Sequence, residues 1–105
     1  MQITPQQAFE QQLRNIYLTV DGTVAEILPD DTTGVPHQRF ILLTQSGQTI
    51  LIVHNIDKGD QFEVKLGQHL HIEGTYVWNR HGGLIHETHV GLNKKQPEGS
   101  IKTVS

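Results

Sequence analysis

The hydrophobic and polar positions of this chain change period once, near residue 17, dividing it into a helical start and a β-rich remainder. Phe9, Leu13 and Ile16 or Tyr17 recur at helical spacing and make one apolar stripe on an otherwise Gln-rich segment. Thr4 is a good N-cap, Pro5 suits the first helical position, and Gln7 completes a capping-box pattern. The spacing predicts one helix over residues 5–16, packed on a core through Phe9 and Leu13. A stripe of this kind is packing far more often than a binding groove.

From Tyr17 onward the period is two. Tyr17 to Leu28 carries β-branched residues and holds Gly22, a candidate bulge or tight bend. Pro29 to Pro36 is a turn-rich loop, and Arg39 to Thr44 and Gln48 to Val53 are strands flanking a Ser46-Gly47 hairpin connection. Lys58-Gly59-Asp60 starts an irregular link that ends near Leu66-Gly67. Between Gln68 and Val77, Leu70, Ile72 and Tyr76 share one face, while His69, His71, Glu73 and Thr75 share the other. Asn79 to Gly83 is the next turn, Leu84 to Val90 a fifth strand, and the tail from Gly91 is polar and expected to be loosely held. Five short strands with glycine-marked bends and one short N-terminal helix predict an all-β fold, a five-stranded OB-like small barrel over about residues 17–90 with a tail at 91–105. An Ig-like sandwich would want about seven strands.

At 105 residues the chain is a single domain, residues 1–105. A domain of that size buries roughly 60–70% of the surface its unfolded chain exposes, enough for one core without disulfides. The absence of cysteine excludes a disulfide framework and any Cys-based zinc finger. Eleven acidic against eight basic residues give a formal charge of −3, so nucleic acid meets no global basic field and any contact with it has to be local. No apolar run approaches the ~20 residues of a membrane span. The start, Met1-Gln2-Ile3-Thr4, has no basic n-region followed by an apolar stretch, so no signal peptide is read there.

The candidate chemistry lies in three short polar clusters: His37-Gln38-Arg39-Phe40, His54-Asn55-Ile56-Asp57, and the run from Trp78 to His89. His37 and Arg39 fall on one side of a strand with Phe40 opposite. They read either as an exposed His with a snorkelling Arg or as a proton donor beside an anion clamp. His54 and Asn55 end a strand that is apolar on both faces, so one of them is expected to be largely buried. Asn55 and Asp57 can also satisfy turn amides in the usual Asx manner. His86-Glu87-Thr88-His89 has the wrong spacing for a helical zinc motif, and in a regular strand His86 and His89 face opposite ways. A three-His zinc site would need rings from different strands, for instance His37, His54 and His86. His69 and His71 are expected to be solvated and dispensable, and Trp78 and Tyr76 to pack at the core or rim.

Taken together, the strings HQRF, HNID and WNRHGGLIHETH resemble those of a bacterial family of small proteins that share a domain of unknown function and look like OB-type barrels. The resemblance runs from about Gly22 to His89, roughly two thirds of the chain, and includes the Gly22-x-Val24 start. It implies an OB-like fold and a shared polar site, with no established activity. Many members carry an export signal, so the resemblance also allows a periplasmic protein. The position after Ile85-His86, often aromatic in the family, is Glu87 here.

The sequence thus supports several functions. One is a His-based hydrolase, nuclease- or phosphodiesterase-like, with His37, His54 and His86 as catalytic groups. Arg39, Asn55, Asp57, Trp78, Asn79 and His89 would then hold an anionic substrate. Another is an OB-type module that binds single-stranded nucleic acid or oligosaccharide without chemistry. A third is a structural barrel that meets a protein partner. The expectation shared by the first two is that His37, Arg39, His54, Asn55 and His86 converge on one cleft.

Overall fold

The computed structural model describes residues 3–31, 33–34, 36–56, 62–88 and 99–104. Thr4 opens helix α1 (Pro5–Glu10) with a complete capping box: its Oγ1 accepts from the Gln7 N–H, and Gln7 Oε1 accepts from the Thr4 N–H. The helix is shorter than the predicted span of 5–16. Gln12 turns left-handed (φ 54°), and the N–H groups of Gln12 and Leu13 donate back to the carbonyls of Phe9 and Ala8. That is a Schellman ending built on a residue other than glycine. The apolar spacing runs on through this reversal because Leu13 and Ile16 pack on the same core from outside the helix.

Six strands follow: β1 (Arg14–Asp31), β2 (His37–Thr44), β3 (Thr49–Asn55), β4 (His69–Val77), β5 (Leu84–His86) and β6 (Ser100–Thr103). Five of them close a ring in the order β1-β2-β3-β5-β4 and back to β1, with β3 and β5 parallel and the other pairs antiparallel. The fold is a five-stranded OB-like small barrel with one short helix.

Closure depends on β1, which pairs with β4 from Arg14 to Thr23 and with β2 from Gly22 to Asp31. The handover falls at Gly22, where an added Cβ would sit 2.6 Å from the Leu43 carbonyl oxygen. A register shift between Val24 and Glu26 adds a bulge just beyond it. Inward residues of the five strands fill the barrel: Leu18, Val20 and Val24, then Phe40 and Leu42, Ile50 and Ile52, Leu70, Ile72 and Tyr76, and Ile85. Helix α1 adds the fully buried Ala8, while Phe9 lies half-buried against Trp78.

The C-terminal segment departs from the loosely held tail expected of it. Residues Ser100–Thr103 pair with β4 as β6, and Val104 N–H donates to the His69 carbonyl. β5 lasts only three residues because Glu87 turns left-handed (φ 55°). The β4 edge it leaves uncovered is taken by β6, whose Ile101 packs against the core. Gly99 makes this possible, since a Cβ there would fall 2.1 Å from the Glu87 carbonyl oxygen.

Candidate functional site

Strand alternation decides where each candidate side chain goes. On β2 the inward residues are Gln38, Phe40 and Leu42, so His37, Arg39 and Ile41 face outward. On β3 the inward residues are Ile50, Ile52 and His54, so Leu51, Val53 and Asn55 face outward. On β5 Ile85 is inward, with Leu84 and His86 outward.

The registers then assemble these outward residues into rows. His37 lies opposite Asn55, Arg39 opposite Val53, and Ile41 opposite Leu51. Leu51 lies beside Leu84 in the parallel pair, and continuing that register brings His86 beside Val53. The outer face of β2, β3 and β5 therefore carries one apolar row, Ile41-Leu51-Leu84, one mixed row, Arg39-Val53-His86, and a polar pair, His37 and Asn55. All eight are half-buried.

Arg39 is held in place. Its Nε and Nη2 both donate to the Pro29 carbonyl, at 3.1 and 2.9 Å, which anchors the guanidinium plane against β1. These bonds use two of its five N–H donors, and the other three have no hydrogen-bond partner among the described residues. His86 Nε2 is enclosed and also lacks a hydrogen bond among the described residues, with Glu87 Oε1 at 3.5 Å.

His54 does not join this face. Its ring is inside the barrel, 5% exposed, with Nδ1 2.6 Å from the hydroxyl of the fully buried Thr88. By strand alternation His37, Arg39, Asn55 and His86 therefore lie on one outer face, and His54 lies behind it. A three-His site at His37, His54 and His86 is not formed, and among the described residues no trio of His, Asp or Glu is placed to share a metal ion. Asp57 and His89 lie outside the described residues.

Trp78 and Asn79 serve the scaffold. Trp78 stacks on Phe9 at 6.4 Å between ring centroids, with the Arg14 guanidinium 6.0 Å over its ring. Asn79 Oδ1 accepts from the N–H groups of His81 and Gly83, fixing the loop before β5. Two glycines are required in that loop. A Cβ on Gly82 would lie 1.8 Å from the Thr49 carbonyl oxygen, and one on Gly83 would lie 2.2 Å from the Tyr76 hydroxyl. That hydroxyl donates to the Gly82 carbonyl, and its burial pushes the phenol pKa upward.

Two polar groups that were not among the candidate site residues are also tied into the barrel. Gln38 is buried and clasps Phe62 through both backbone groups, donating to its carbonyl (2.6 Å) and accepting from its N–H (2.7 Å). On the far side of the barrel, His71 is only partly solvated. Its Nδ1 lies 2.7 Å from Asp21 Oδ1 and its Nε2 3.5 Å from Glu73, which also accepts from the Tyr17 hydroxyl. The Asp21 bond, with smaller help from Glu73, raises the His71 pKa above its usual range, and the Tyr17 bond chiefly lowers that of Glu73. The outward positions of His71 and Glu73 are legible in the alternation, but the β1–β4 register that brings Tyr17 and Asp21 to them is not.

Residues 2–105 match the protein family described as "Protein of unknown function (DUF3465)". The chain belongs to that family. Its membership accords with the resemblance to a family of unknown function, and covers the helix and β6 as well as the barrel. No curated protein matches this DUF3465 chain. Among the described residues no helix is long and apolar enough to cross a membrane.

Proposed function

We propose that this protein is an OB-type binding module whose β2–β3–β5 outer face takes an anionic ligand, short single-stranded nucleic acid being the class that fits best. The carrying observation is Arg39, pre-oriented by two bonds to one backbone carbonyl, with three donors that no described residue engages. A guanidinium fixed in this way loses less freedom on meeting a phosphate than a mobile one. His37 offers an imidazole on the same strand and His86 a half-buried ring in the same row, and imidazole and guanidinium planes both stack on unpaired bases. The apolar row Ile41-Leu51-Leu84 is suited to the uncharged parts of the ligand. In OB folds the strand 2–3 surface is the usual place for such ligands.

With a chain charge of −3 there is no general attraction, so affinity is modest and rests on a few contacts. For one or two phosphate contacts, log Kobs should fall with log salt at a slope of about −0.7 to −1.4. The hydrolase reading has less support, because it needs His54 as a complementary proton-transfer group and that ring meets Thr88 inside the barrel.

Fluorescence anisotropy with a labelled single-stranded oligodeoxynucleotide tests the proposal. The Arg39→Ala variant should bind about tenfold more weakly and show a salt slope shallower by about 0.7. Equal binding by the variant would remove Arg39, and with it the proposal.

A further inference from the structure

A concavity opens where β1 bends at Gly22, opposite Thr44 and so five residues along β2 from Arg39, or about 16 Å at strand rise. It encloses about 540 Å³ between the end of β2 and the start of β4. Its two sides are apolar and uncovered: Leu43 is 41% exposed on one, Val104 46% on the other. Between them lie Asp21, Thr23 and His69.

These polar groups are held by their neighbours. Thr23 Oγ1 and His69 Nδ1 are 3.1 Å apart, which fixes the imidazole against β1. Asp21 Oδ1 is 2.7 Å from His71, which pins the carboxylate at the mouth of the groove. Among the described residues that line the groove no Lys or Arg occurs, and Asp21 carries the only side-chain carboxylate.

We infer that this groove is a binding site for a small organic amine, with its cationic head on the Asp21 carboxylate and its apolar body between Leu43 and Val104. The division of labour is that of small-molecule sites in general: apolar walls supply burial, and one or two fixed polar groups set orientation. Charge selects the head group. A carboxylate ligand would meet Asp21 with like charge, and a neutral alcohol would forgo the ion pair. His69 and Thr23 add hydrogen-bonding capacity beside the head, and neither favours an anion over a cation in the presence of Asp21. The site is separate from the anion-binding face and does not depend on it.

Three probes sharing one body test the head-group preference: benzylamine, benzyl alcohol and benzoate, each titrated into the full chain and followed by amide chemical shifts. Benzylamine should shift Gly22, Thr23, Gln45, His69 and Val104, bind more tightly than benzyl alcohol, and leave benzoate the weakest. Asp21→Asn keeps an acceptor for His71 while removing the charge, and should weaken benzylamine by about fivefold at most, the upper range for a solvent-exposed ion pair. Leu43→Ser, at an exposed position, should weaken benzylamine and benzyl alcohol alike. Benzoate binding as tightly as benzylamine, an unchanged benzylamine affinity in Asp21→Asn, or shifts centred elsewhere on the barrel would each overturn the site.

Discussion

His54 and Asn55 are neighbours in sequence, yet the strand turns one inward and the other outward, and their replacement should read out differently. His54→Ala removes the partner of a fully buried Thr88 hydroxyl and should cost about 1–3 kcal/mol of stability in urea unfolding. Oligonucleotide binding should survive at temperatures where the variant stays folded. A binding loss without a stability loss would put His54 back in the site. Gly82→Ala should be more damaging, because the position has φ 116° and its Cβ would strike the Thr49 carbonyl. A cost of about 2–4 kcal/mol is expected from strain and crowding together.

His71 gives a pH dependence whose sign follows from its neighbours. Its pKa is raised in the folded state above the ordinary 6.5, so its contribution is fully present below 6.5 and is lost as pH rises through the folded value. Glu73 is lowered from 4.5, so its contribution is present above 4.5 and lost as pH falls through its folded value. The network is therefore strongest between about 4.5 and 6.5. Because His71 remains partly exposed, the effect should stay within about 1 kcal/mol. Unfolding free energies of wild type and His71→Gln should differ more at pH 5.5 than at pH 8.5, and the opposite order would contradict the assignment.

Among the elements, those with a strong local signal were legible in the sequence. The capping box at Thr4 and Gln7 located the start of α1, and the alternation from His69 to Val77 located β4 and its buried face. What escaped was set by single residues in unusual conformations. Gln12 and Glu87 adopt left-handed backbone geometry that glycine usually supplies, so α1 and β5 end earlier than their apolar spacing suggests. β6 escaped because Ser100-Ile101-Lys102-Thr103 is short and polar, and its place is created by the brevity of β5. Gly99 carries that arrangement. Gly99→Val should detach β6, giving faster amide exchange at His71 and Glu73, the β4 amides that face β6, while the β2–β3 amides stay protected. Uniform loss of protection across all strands would show instead that β6 belongs to the cooperative core.

At the scale of the whole molecule, the long β1 strand closes the ring and so determines which sequence-distant residues meet. Alternation alone places His37 and Arg39 opposite Phe40 but leaves the faces of Asn55 and His86 open, and the assembly of all four depends on the antiparallel β2–β3 register and the parallel β3–β5 pair. No local pattern specifies the latter. The same alternation separates His54 from them, and that moves the account from catalysis toward binding. The most direct test is the footprint of a short single-stranded oligodeoxynucleotide on the amide chemical shifts of the full chain. The account predicts shifts concentrated at Arg39, Ile41, Val53, Asn55, Leu84 and His86, and their loss in Arg39→Ala. Shifts centred on the β1–β4–β6 side, or none at saturating oligonucleotide, would contradict it.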